Sequence, residues 1–206
     1  MEVRGKHGGD SCKKSLTSVV CCAIMVPSFA SHCLRITLTT GGRPFLVNDI
    51  HRTPCAGVVA ACGNSNAGVT GIAYRCRILP IKVWGSPNLP PLSDVADAIR
   101  YAGARAAVLS NSWTCSTSDV VRQAIQDMIG GGCGSLGTLV SFAAGNSSGA
   151  VGFPARLDAS IAVGASTHQA QRAGYSCCGP ELDLVAPSSG GTQSIWTTDV
   201  STANRG

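Results

Sequence analysis

Thr138-Leu-Val-Ser-Phe-Ala-Ala-Gly-Asn146 is an apolar run of strand character that breaks off abruptly at Gly145-Asn146. A short apolar run closed by glycine reads as a buried strand, and it presents the Asn146 amide at the strand's end. Outward from it the chain alternates. Arg77-Ile-Leu-Pro-Ile-Lys-Val83 is a short apolar strand, and Ser93 can N-cap a helix carrying Val95, Ala98, Ile99 and Ala102 at helical spacing. Ala106-Ala-Val-Leu109 reads as the next strand. Ser118 then caps a helix with Val120, Val121, Ala124, Ile125, Met128 and Ile129 on one face, which Gly130-Gly-Gly132 ends. Leu139–Ala144 and Ile161–Val163 complete the series. Strand–helix–strand alternation predicts an α/β fold, a parallel sheet covered by helices with functional loops at the C-terminal ends of the strands. His51, Ser112 and Asn146 fall at such loop or helix-start positions.

His51-Arg-Thr-Pro-Cys-Ala-Gly57 places a histidine just ahead of a small-residue segment, Cys55 to Cys62, opened by a proline. Proline suits the start of a helix, where its missing N–H would be unpaired anyway. A half-exposed histidine on that corner titrates near neutral pH and suits a general base. An amide N–H from Asn146 can stabilise a developing oxyanion. Each feature also has a plain structural reading, since a histidine before a helix is often merely exposed and Asn after Gly is a common turn.

The order of motifs carries a resemblance. His51-x-Thr-x-Cys-Ala-Gly57 resembles the histidine motif of the subtilisin-like serine proteases, and Ala143-Ala-Gly-Asn146 resembles their oxyanion-asparagine motif. Gly71-Ile-Ala-Tyr, Ile78-Leu-Pro-Ile-Lys-Val and Leu109-Ser-Asn-Ser-Trp113 follow the family's order between them. Phe153-Pro-Ala, Ile161-Ala-Val-Gly-Ala and Gly179-Pro-Glu-Leu-Asp-Leu-Val-Ala-Pro187 come after, so that residues 41 to 203 are covered. Cys55 and the closing Ile195-Trp-Thr-Thr-Asp199 lean toward the kexin/furin-like branch. The resemblance implies a three-layer fold with a mostly parallel sheet, and serine-type endopeptidase activity by Ser-His-Asp acyl transfer. It further implies that His51 is the general base, that Asn146 is an oxyanion donor, and that Ser112-Trp113 is the strand edge whose backbone pairs with an extended peptide or protein substrate.

What the 206 residues lack bears on that expectation. The family's nucleophile sits in a Gly-Thr-Ser-x-x-x-Pro motif that this sequence does not contain, and its Asp follows an apolar strand in an Asp-[Asp/Ser/Thr]-Gly context. Asp10-Ser11-Cys12 has the wrong third residue, and Asp49 lies too near His51. The expectation is a partial catalytic domain, inactive as written. The alternative is a non-catalytic protein that binds peptides along Ser112-Trp113. Two departures weaken the motifs: Arg52 replaces a glycine and would lower the pKa of His51, and Thr114 stands where a glycine usually follows Trp113.

Length and composition fit one domain of ordinary globular character. The net charge of +5 is spread out, and Arg75, Arg77 and Lys82 are interrupted by apolar residues, so no basic stripe points to nucleic acid. No apolar run is long enough to span a bilayer. Residues 1–40 form an atypical segment before the protease-like body at 41–206. Lys13-Lys14, the apolar Leu16–Val26 and Ser28-Phe-Ala30 have the layout of a secretory leader, whereas the charged residues Glu2 and Asp10 do not fit one. Secretion is therefore one reading, poorly ordered or misread sequence joined to the protease-like body is the other, and the compartment stays open. Eleven cysteines show no zinc-ligand spacing, and several read as small buried residues. Calcium is implied by the family alone, since no carboxylate cluster argues for a site. Oligomeric state is not legible. Two motif matches fail on context. Gly132-Cys-Gly134-Ser-Leu-Gly137 follows a helix and precedes a strand, the reverse of a dinucleotide site. Gly145-Asn-Ser147-Ser-Gly149, with Asp158 and His168 after it, lacks the helix that a nucleophile elbow requires.

Overall fold

Alternating apolar strands and amphipathic helices assemble into one α/β sheet flanked by helices in the computed structural model of the chain. It describes residues 20–25, 52–64, 66, 68–82 and 90–198, with the backbone alone for residues 20–25, 52 and 82. His51, Asp10, Asp49 and the Ser28-Phe-Ala30 segment lie outside the described residues. The elements are β1 (Val20–Met25), α1 (Arg52–Ala60), β2 (Arg77–Lys82), α2 (Leu92–Gly103), β3 (Val108–Asn111), α3 (Asp119–Ser135), β4 (Leu139–Ala143), β5 (Ile161–Ser166) and β6 (Leu184–Pro187).

The sheet order is β2-β1-β3-β4-β5-β6. From β3 to β6 each pairing is parallel, so the C-terminal ends of these four strands share one edge. β1 is antiparallel to both neighbours, with Cys21 opposite Ile81 on one side and Asn111 on the other. Its last residue, Met25, therefore pairs with Arg77 at the edge away from the ends of β3 and β4.

One face of each amphipathic element builds the core. Val95, Ile99 and Ala102 on α2 recur at helical spacing and are buried, as are Val121, Ala124 and Ile125 on α3. They pack on Leu109 of β3, Val140 and Phe142 of β4 and Ala162 of β5, the alternate residues of strands whose burial itself alternates. A smaller cluster of Ala60, Cys76 and Ile78 sits under α1, with Ala56 and Val59 against it.

Several local expectations are corrected. Ser93 does not cap α2: Pro91 is the N-cap, its carbonyl accepts from Asp94 N at 3.0 Å, and Ser93 Oγ donates to Asp94 Oδ1 at 3.3 Å inside the first turn. Ser118 caps α3 as expected, accepting from Val121 N at 3.4 Å. Val120 does not join the buried face; it is exposed, because it sits one residue off the Val121–Ala124–Ile125 stripe. The glycine run does break α3, at Gly132 (ψ 179°), Cys133 (φ 48°) and Gly134 (φ 66°). The β3 strand starts two residues later than the periodicity predicts and runs on to Asn111.

Candidate active site

Three segments meet near the C-terminal edge of the sheet. The first is α1, whose residue Arg52 directly follows His51 in sequence. Pro54 lies within the first turn of this helix, where a missing N–H costs no helical bond. The helix is held at both ends. Gly71 N, Ile72 N and Ala73 N donate to the carbonyls of Ala61, Val58 and Val59 at 2.9, 3.0 and 2.8 Å. At the other end Thr197 Oγ1 donates to Pro54 O at 2.6 Å, and Thr198 Oγ1 donates to Thr53 O at 2.9 Å. A helical carbonyl has a second lone pair beyond its ladder bond, and these hydroxyls can use it.

The second segment is Ser112–Thr114, just past β3. Ser112 is half-buried and hydrogen-bonds the Cys55 thiol of α1, which ties that helix to the segment after β3. Burial raises the pKa of Cys55, and the Ser112 bond opposes that in part. Trp113 is buried. Its ring meets Phe142 edge-on at 5.1 Å, and its Nε1 donates to Asn111 Oδ1 at 3.0 Å. Asn111, itself buried, donates through Nδ2 to Ser141 O at 3.0 Å. The Trp113 indole thus faces the core, and any part this residue plays in holding a peptide falls to its backbone. The Thr114 methyl packs towards Gly152, 3.3 Å from where a β-carbon there would stand.

The third segment is the loop after β4. Ala144 N still bonds Val163 O at 2.9 Å, and the chain then leaves the sheet, so that Asn146 is exposed. Asn146 lines a cavity of about 410 Å³ beside Ala143, Gly164, Ala186 and Ser188 at the ends of β4, β5 and β6. Small side chains keep the cavity floor low. The hydroxyls of Tyr175 and Ser188, 2.8 Å apart, supply polar groups on its wall.

The elbow alternative gains no support. No helix follows Ser147; its Oγ lies 3.2 Å from Cys177 Sγ, while His168 Nε2 lies 3.2 Å from Thr192 Oγ1. β1 also runs in the wrong sense to deliver an Asp from its C-terminal end to the functional edge. Among the described residues no group of three or more His, Cys, Asp or Glu side chains could hold a metal. Sequence reasoning missed Thr197, Thr198 and Tyr175 as parts of this region.

The cysteines divide by environment. Burial pushes the Cys115 thiol up to about 11, whereas Cys178 is exposed. At pH 8 about one Cys115 in a thousand is then a thiolate, the reactive form. Iodoacetamide at pH 8, followed by peptide mapping, is expected to label Cys178 well before Cys115; equal rates would contradict the burial of Cys115. Cys62 takes part in a disulfide.

Comparison with known proteins agrees with this geometry. Residues 39–206 match the profile of the Subtilase family. The chain is 35% identical over 140 residues to subtilisin Savinase of Lederbergia lenta, covering 66% of this chain and 50% of that protein. It is 35% identical over 165 residues to an extracellular protease of Xanthomonas campestris pv. campestris, covering 72% of this chain and 27% of that one. The fold superposes on a solved protease of Pseudoalteromonas arctica with a TM-score of 0.60 at 30% identity, covering 69% of this chain and 44% of that one. The chain thus spans half or less of the length of these relatives. By profile, identity and fold together, this chain belongs to the subtilase family of serine proteases.

Proposed function

We propose that this chain is the part of a subtilisin-type endopeptidase that supplies the general base and an oxyanion donor for acyl transfer. The observation that carries the reading is the exposed Asn146 at the mouth of the cavity formed by the ends of β4, β5 and β6. A carboxamide there can donate to the oxygen of a tetrahedral intermediate, which is worth most where the site is fixed in advance. His51 is the residue assigned to take the proton of the nucleophile, and it directly precedes a helix pinned by Thr197 and Thr198. The backbone at Ser112–Trp113 is the assigned edge for an extended peptide or protein substrate.

The relatives carry names of bacterial proteases, which lends no support to a kexin/furin-like placement drawn from Cys55 and Ile195–Asp199. The disulfide at Cys62 and the extracellular relative favour an oxidising compartment for this chain. Calcium ligands are hard oxygens in clusters; the described residues offer no such cluster, and no step is assigned to calcium. Among the described residues no helix is long and apolar enough to cross a membrane.

The 206 residues hold no Gly-Thr-Ser-x-x-x-Pro motif, so a serine-reactive fluorophosphonate is expected to leave them unlabelled. Labelling at Ser147 would replace this reading with a nucleophile elbow. Where an Asp and a Ser of the family's motifs are supplied in a longer protein, Asn146→Ala is expected to lower turnover by about 10²–10³, the size seen on removing one oxyanion donor from a subtilisin. Turnover unchanged by that substitution would remove Asn146 from the site.

A further inference from the structure

The loop Gly145–Gly149 is bound at four of its five residues to one short segment, Gly174–Cys178. Gly145 O accepts from Cys177 N at 3.0 Å, and Gly149 O accepts from Cys178 N at 2.9 Å. Ser148 N donates to Tyr175 O at 2.9 Å, and Ser148 Oγ donates to Gly174 O at 2.5 Å. Ser147 Oγ approaches Cys177 Sγ at 3.2 Å. The fifth residue is Asn146, whose side chain is exposed at the cavity.

Ser148 stands in the left-handed region at φ 61°, which a residue with a β-carbon adopts only when its surroundings impose it. Two bonds from this one residue to consecutive carbonyls supply that imposition. With glycine at both ends, the loop has little stiffness of its own. A donor that must be aimed before reaction needs stiffness from elsewhere.

We propose that Ser148 is the positioning residue for the Asn146 carboxamide. Its amide and hydroxyl lock the turn of the loop onto Gly174–Tyr175, and that turn fixes the direction in which Asn146 leaves the backbone. The inference rests on the reading of Asn146 as an oxyanion donor.

The test is NMR on the 206-residue chain, following the side-chain amide of Asn146 (assigned through Asn146→Asp) and the amide exchange of residues 144–149. Ser148→Ala and Ser148→Gly both remove the hydroxyl bond, and the second also relieves the left-handed strain. Ser148→Asn tolerates φ above zero and brings a side-chain donor. In the alanine and glycine variants, exchange of the residue 148 amide, which donates to Tyr175 O, is expected to rise roughly five- to tenfold, the loss of about one hydrogen bond. The Asn146 side-chain resonances should move towards those of a free amide while the Trp113 indole resonance stays in place. Ser148→Asn should restore most of the ordered signal. An ordered wild-type carboxamide left ordered by both variants overturns the role of Ser148 alone. A shift that reaches the Trp113 indole as strongly as Asn146 also overturns it, since Ser148 would then serve general structure. A wild-type carboxamide already as mobile as a surface amide counts against Asn146 as a donor, whatever the variants do.

Discussion

Phe142→Ala is expected to lower the stability of the chain by about 3–5 kcal/mol, the usual cost of truncating a fully buried aromatic. Phe142 is 1% exposed in the middle of the core, between the helical faces of α2 and α3 and the neighbouring strands. Its loss removes more than apolar burial. The Trp113 ring packs edge-on against it at 5.1 Å, and such a pair adds about 0.5–1.5 kcal/mol beyond area. Trp113 Nε1 in turn bonds Asn111, which bonds the carbonyl of Ser141 next to Phe142 in the chain. Aromatic packing and a buried polar chain therefore close on one another. A domain stable by about 5–15 kcal/mol gives up a large share of its margin to this one change. Urea unfolding followed by Trp fluorescence measures it. A loss under about 1 kcal/mol would mean that the β4 face is not the core.

Much of this core is legible from sequence. Val95, Ile99 and Ala102 recur at helical spacing, Val140 and Phe142 alternate on a short apolar run, and all are buried where those periods put them. The existence of β3 and β4 follows from the same pattern, whereas the extension of β3 to Asn111 does not. The sense of β1 does not. Val20–Met25 is short and apolar without alternation, and such a run reads equally as leader or strand until its neighbours in space are known. Trp113 was legible as part of a motif, but the direction of its indole depends on Asn111 and Phe142 together. The bonds made by Ser148 and Thr198 were not legible at all. Their partners are 26 and 145 residues away, and a hydroxyl carries no local signal of so distant an acceptor.

Gly57→Ala sets two effects of opposite sign against each other. Inside a helix, alanine is favoured over glycine by about 1 kcal/mol, and Gly57 lies in the middle of α1. Position alone would therefore make the substitution stabilising. The surroundings reverse that. A β-carbon at residue 57 would stand 2.6 Å from Thr197 Oγ1 and 2.9 Å from the backbone nitrogen of Thr198, and closer still to Thr198 Oγ1. The contact with backbone cannot be relieved by turning a side chain, so the segment at 197–198 must move away from the helix. That movement breaks the bonds to Thr53 O and Pro54 O, each worth about 1 kcal/mol, and exposes a buried Thr198. Overpacking strain of about 1–3 kcal/mol is added wherever the segment fails to clear. The losses exceed the helical gain, and a net destabilisation of about 2–4 kcal/mol is expected. Hydrogen exchange locates the cause: amides of α1 should lose protection in Gly57→Ala while those of β4 and β5 keep theirs. A Thr197→Val, Thr198→Val chain, which keeps the shape and removes both donors, should lose part of that protection without the strain. If Gly57→Ala instead raises the melting temperature, helix propensity has won. The first turn of α1, next to His51, would then be held by something other than Thr197 and Thr198.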